Sequence, residues 1–157
     1  MVFPNIVVAI SFWIHFLGVV LWVGASLLLP LVIMPAINSL EPAARLKPMA
    51  AIGQKLGPWF GLSIVLVFLS GILQAIHYNE FSSRILQIKI IVAILMVANG
   101  VYVGMLTRKV ASLAPAPGTP PPAPFLKAQR MLVMHGWVQA GLAMIILLIV
   151  GLLRVGI

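Results

Sequence analysis

The chain contains no cysteine, and this one absence removes disulfides, thiolate metal centres, iron–sulfur clusters and covalently attached c-type haem. Acid is almost as scarce: Glu41 and Glu80 are the only carboxylate side chains, and both are expected at or beyond a membrane edge. Paired-carboxylate catalysis and a buried acid relay for proton pumping therefore have no candidates. No nucleophile–base arrangement for serine or metal-dependent hydrolysis stands out either. Charge of any sign is thin, at 8% of residues, where soluble domains carry about 25%.

What remains is apolar. Of 157 residues 62% are hydrophobic, and the mean hydropathy is +1.18, which identifies an integral membrane protein of one domain, residues 1–157. The formal charge of +8 does not point to nucleic acid, because the basic residues flank the hydrophobic runs instead of forming a stripe. They serve topology and anchoring to an anionic leaflet. The N-terminus has no basic region and no small-residue cleavage site, so the first helix is expected to be its own membrane signal.

A hydrocarbon layer of roughly 30 Å needs about 20 apolar helical residues. Four stretches meet this, at about 5–37, 58–79, 84–107 and 129–154, and predict an all-α, four-span transmembrane bundle. The first connection, Asn38 to Gly57, reads as a short amphipathic piece on the membrane surface, punctuated by Pro42 and Pro48. The second, Asn79 to Ser83, forces spans two and three into an antiparallel pair. The third, residues 111–125, holds six prolines and reads as an extended tether. Arg45, Lys47 and Lys55 mark the first connection; Arg108, Lys109, Lys127 and Arg130 bound the third. The positive-inside rule makes both of these basic loops cytoplasmic and puts both termini outside.

Polar residues fall on single helical faces. Ser11, His15, Gly18, Trp22 and Ser26 recur at spacings of four and three, so one side of the first span is made for neighbours. Ser63, Ser70, Gln74 and His77 form a stripe on the second, where Gly57, Gly61 and Gly71 are expected to allow close approach. Lys89, Met96 and Val103 follow one face of the third, flanked by Asn99 and Gly100. Met131, His135 and Gln139 align on the fourth. Counting at about 1.5 Å per residue from the cytoplasmic edges brings His15, His77, Lys89 and Arg154 to the outer half, and leaves His135 near the inner surface.

The first span carries His15, then six residues to Trp22, then Gly24. This H-x6-W-x-G pattern resembles the first helix of the CopD-like (copper-resistance D) membrane family. It is also similar to the related HemJ-type protoporphyrinogen oxidases, small four-helix haem-binding membrane proteins. The Ser70-Gly71 pair and the Leu86-Gln87-Ile88-Lys89-Ile90 entry to span three, where those families place a lysine, extend the resemblance. It implies a haem-binding or copper-handling protein of a prokaryotic plasma membrane.

Three functions follow as expectations. The first is a haem b protein acting as an electron-transfer or redox subunit, with His15 and His77 as axial ligands of the iron. Lys89, Arg84 or Arg154 would neutralise the propionates and Trp22 would line the slot; His15 with Lys89 is an alternative ligand pair. The second is copper handling, with a Cu(I) site of His135, Met131 and Met134, since the soft ion favours thioether and imidazole. The third is a non-catalytic subunit whose polar residues hold helices together. Lipid is the certain partner in all three, with further membrane subunits or a second copy of the chain beside it.

Overall fold

The computed structural model describes the backbone of residues 3–40, 44–116 and 119–155, and the side chains of all of these except 46 and 153–155. Glu41 and the Arg154 side chain, both singled out from the sequence, lie outside the described residues. Helix α1 spans Asn5–Leu28, passes through a five-residue π turn at Leu29–Ile33 and continues as α2, Met34–Asn38. Helices α3 (Leu46–Tyr78), α4 (Arg84–Ser112) and α5 (Ala123–Val155) complete the chain. Four of the resulting helical stretches are long and apolar enough to cross a membrane. In a bilayer core a helix satisfies its backbone groups internally, which is why such sequences adopt this form.

The π turn has a local cause. Pro30 sits at its start, brings no N–H and would clash with the carbonyl four residues back, so the helix widens by one residue instead of breaking. At the other end of the bundle α3 stops on Asn79, whose φ of 54° is left-handed. Asn79 N–H bonds to Ile76 O at 3.3 Å and Glu80 N–H to Ala75 O at 3.0 Å, closing the helix in the Schellman manner. Ser83 then caps α4 by accepting from Leu86 N–H at 3.4 Å. The antiparallel α3–α4 hairpin expected from the short connection is formed by these caps.

Two expectations about the connections are corrected. The stretch preceding span two is no separate surface piece, because α3 starts at Leu46 and runs straight through Pro58. Pro48 lies in its first turn, where a missing N–H leaves no bond unmade. The fourth helix likewise begins at Ala123, six residues before the apolar run, with Pro124 in its opening turn. In both cases hydropathy marked the membrane-length segment, while the helix continued past it.

Going round the bundle the order is α1, α3, α4, α5, with α1 packed on α3 and α4 on α5 most extensively, and α3 against α4 more loosely. Trp22, Val23, Val67, Ala93, Met96, Ala143 and Ile146 form a core to which all four helices contribute. A second cluster, Leu106, Val110, Phe125, Ala128 and Leu132, joins α4 and α5 near the long loops. Large apolar side chains such as Ile6, Trp13, Leu69 and Leu148 are exposed on the outer faces, as lipid contact requires. The close α1–α3 approach is set at Gly18, where a Cβ would lie 2.8 Å from Val67 Cγ2 and 3.1 Å from Ser63 O. Gly57 and Gly61, expected to do this, have open space around them.

Candidate functional site

The inward face read from α1 is realised: Ser11, Gly18, Trp22 and Ser26 are buried, and His15 is half-buried among them. Its ring lies against α3. Nδ1–H donates to Val67 O at 3.0 Å and, shared, to Ser70 Oγ at 3.1 Å. A carbonyl oxygen only accepts, so the proton of the neutral ring is on Nδ1 and the lone pair is on Nε2. Ser70 in turn donates to Leu66 O. Gly71 makes room for the ring: a Cβ there would stand 3.2 Å from His15 Cε1. No hydrogen bond engages His15 Nε2 among the described residues.

On α4, Lys89 is half-buried. Ser11 Oγ on α1 and Gln74 Nε2 on α3 are buried and have no hydrogen-bond partner among the described residues. Trp22 is 3% exposed and lies tilted against Phe68 with ring centroids 6.4 Å apart. It is part of the packed core of the bundle.

His77 is placed differently from His15. It lies six residues beyond Gly71 on α3, a rise of roughly 9 Å, and its Nδ1 accepts the backbone N–H of Phe3 at 3.3 Å. Phe3 stacks on the ring at 6.2 Å and Tyr78 meets it edge-on at 4.8 Å. With Nδ1 accepting, the proton of a neutral ring is on Nε2, which then offers no lone pair. The structure thus does not bring His15 and His77 together at one height; it uses His77 to hold the start of the chain. Arg84 opens α4 and is exposed.

A second polar centre joins three helices nearer the long loops. His135 Nδ1–H donates to Asn99 Oδ1 at 2.7 Å, while Asn99 Nδ2 donates to His135 O at 3.0 Å and to Gln139 Oε1 at 2.8 Å. Gln139 Nε2 reaches Ser26 Oγ on α1 at 3.4 Å. Tyr102 stands edge-on to the His135 ring at 4.6 Å. The π turn abuts this centre, with Pro30 Cβ 3.9 Å from where a Gly136 Cβ would be. Met131 lies one turn from His135 and packs on the α4–α5 cluster, whereas Met134 is 54% exposed on the outside.

Sequence reasoning named Ser26, Asn99, His135 and Gln139 individually but missed that they form one network. The usable signal was depth: all four fall on inward faces toward the long-loop end. No group of three or more His, Asp or Glu side chains able to hold a metal ion occurs among the described residues, so any metal here relies on one imidazole plus other donors. Comparison with protein-family models, curated proteins and solved structures finds no match to this chain.

Proposed function

We propose that the protein is an integral membrane haem b-binding protein serving electron transfer in a prokaryotic plasma membrane, with both termini outside. One observation carries this reading: His15 donates Nδ1–H to the Val67 carbonyl, which leaves its Nε2 lone pair free. Metal-ligating histidines are characteristically fixed in this way, with the other ring nitrogen tied to a carbonyl or carboxylate. Lys89, on the neighbouring helix α4, is half-buried and is the further nitrogen donor this reading calls on. His15 would supply the imidazole ligand of such a haem, and Lys89 a second nitrogen from the neighbouring helix pair. His77, whose Nδ1 is engaged by Phe3, is not needed.

Haem b bound there supplies a one-electron couple. The chain's own residues fix the His15 ring through Val67 and Ser70, and the packed core around Trp22 excludes water. The membrane orientation rests on Arg45, Lys47, Lys55, Arg108, Lys109, Lys127 and Arg130, all near the long loops. The exposed apolar faces are where further membrane subunits would pack.

The test is an optical spectrum of the protein purified in mild detergent, oxidised and reduced. A reduced b-type α-band that disappears in His15→Ala and is altered in Lys89→Met supports the reading. A colourless protein that also takes up no added haem sinks it.

A second reading, Cu(I) handling, has support from one place. His135 also donates Nδ1–H, to Asn99 Oδ1, so no hydrogen bond engages its Nε2 among the described residues, and Met131 is one turn away on the same helix. Cu(I) uptake by the colourless protein, lost in His135→Ala and Met131→Leu together, would favour it.

A further inference from the structure

The cations at the long-loop end of α4 and α5 do more than mark one side of a membrane. Arg108 and Lys109 lie near the end of α4, Lys127 and Arg130 near the start of α5, and all four are exposed. Leu106 and Val110 pack on Phe125, Ala128 and Leu132, which brings the four cations to one level. Among the described residues no carboxylate lies at this end. Glu80, the only one described, stands at the short connection between α3 and α4.

Lys127 and Arg130 differ from the other two in flanking a pocket. It is open, holds about 340 Å³ and is lined by Ala123, Leu126, Lys127, Arg130 and Met131. Cations three residues apart share one helical face, and the rest of the lining is apolar. Phe125, Ala128 and Leu132 turn the other way, into the α4–α5 cluster, so the pocket opens outward. Met134 and Trp137 continue the same face, 54% and 52% exposed, roughly 6 and 10.5 Å beyond Arg130 along the axis. The stretch Ala123–Leu152 is long and apolar enough to cross a membrane, so this face runs from its charged end into its apolar part. Topology alone asks for cations on the loop side; it asks for neither a pocket nor an apolar track leading away from it.

We infer that this face of α5 binds one anionic phospholipid, its phosphate held between Lys127 and Arg130 and its acyl chains laid along Met134 and Trp137. Charge complementarity selects the headgroup: two uncompensated cations at a membrane surface attract an anionic lipid over a zwitterionic one. The apolar continuation selects a lipid over a free anion, which would leave Met134 and Trp137 unused. A tryptophan at the level just inside the headgroups suits this arrangement, since its ring is apolar and its N–H can still meet a polar lipid atom. The site is independent of the haem reading.

The experiment titrates the full chain, in detergent micelles, with phosphatidylglycerol and with phosphatidylcholine of the same acyl chains, and counts bound lipid by native mass spectrometry. The wild-type chain is expected to retain one phosphatidylglycerol roughly tenfold more tightly than phosphatidylcholine, the scale of one to two cations at a lipid surface. Lys127→Gln with Arg130→Gln should erase that preference and leave phosphatidylcholine binding unchanged. Lys127→Arg with Arg130→Lys, which keeps both charges, should retain it. Arg108→Gln with Lys109→Gln removes the same net charge outside the pocket and should retain it too. Trp137→Ala should weaken both lipids alike. Equal retention of the two lipids by the wild-type chain overturns the inference. So does equal loss of preference in the two charge-deleted pairs, which would report net charge alone. Displacement of the lipid by an equal concentration of inorganic phosphate would make this a free-anion site, and displacement by an acidic peptide a protein-docking surface; either result overturns the lipid assignment.

Discussion

Gly71 and the His15 ring are in such close register that any side chain at 71 would meet the imidazole, the nearest atom being Cε1 at 3.2 Å from an added Cβ. The ring therefore sits in the space left by Gly71 on α3, with Nδ1 bonded to Val67 and Ser70 and no hydrogen bond at Nε2 among the described residues.

Gly71→Ala should accordingly be nearly neutral for stability, since alanine improves helix propensity by up to about 1 kcal/mol while the ring shifts by a few tenths of an ångström. Gly71→Leu should drive the ring from its notch and abolish the haem spectrum while the chain remains folded. Optical spectra and helical circular dichroism of both variants check this, and an unchanged α-band in Gly71→Leu would refute the packing argument.

His77→Ala should leave the b-type spectrum unchanged, in contrast to His15→Ala, because His77 Nδ1 is spent on the Phe3 N–H. Its effect should instead be local: faster proteolysis or hydrogen exchange around residue 3, where the stacked ring is lost. Loss of the α-band in His77→Ala would restore it as an iron ligand.

Gly18→Ala should destabilise the bundle by about 1–3 kcal/mol, the range for overpacking a filled interior. The added Cβ would stand 2.8 Å from Val67 Cγ2 and 3.1 Å from the Ser63 carbonyl, and a backbone oxygen cannot swing aside. Because Val67 also accepts from His15, the same change should broaden or weaken the haem band. Thermal unfolding in detergent measures the first effect and the optical spectrum the second.

Asn99→Leu should cost about 1 kcal/mol, since interhelical hydrogen bonds in membranes average about 0.6 and reach about 1.7. It releases three contacts at once, to the His135 backbone carbonyl, His135 Nδ1 and Gln139 Oε1. A double-mutant cycle of Asn99→Leu with Gln139→Leu should show coupling, the second change costing less after the first. Strict additivity would mean that the two residues do not act as one network.

How much of this was legible beforehand differs by residue. The polar face of α1 was: spacing alone put Ser11, Gly18, Trp22 and Ser26 on one side, and all four are buried. The heights of His15 and His77 were not, because counting from membrane edges carries an error of a turn or more, and the α1–α3 register is set by Gly18 meeting Val67 and Ser63. Helix bounds were blurred for a related reason. Hydropathy reports where lipid is, and α3 and α5 extend beyond it through Pro58 and from Pro124.

The amino-acid order alone determined a membrane protein of four apolar helices with defined inward faces, because transfer free energy and the 3.6-residue period are local properties of each segment. The tertiary structure alone decided which imidazole nitrogens are free. The partners that fix them come from other helices, Val67 lying 52 residues from His15 and Asn99 36 residues from His135. A tautomer is a choice made by the nearest acceptor in space, and no spacing along one helix reveals it.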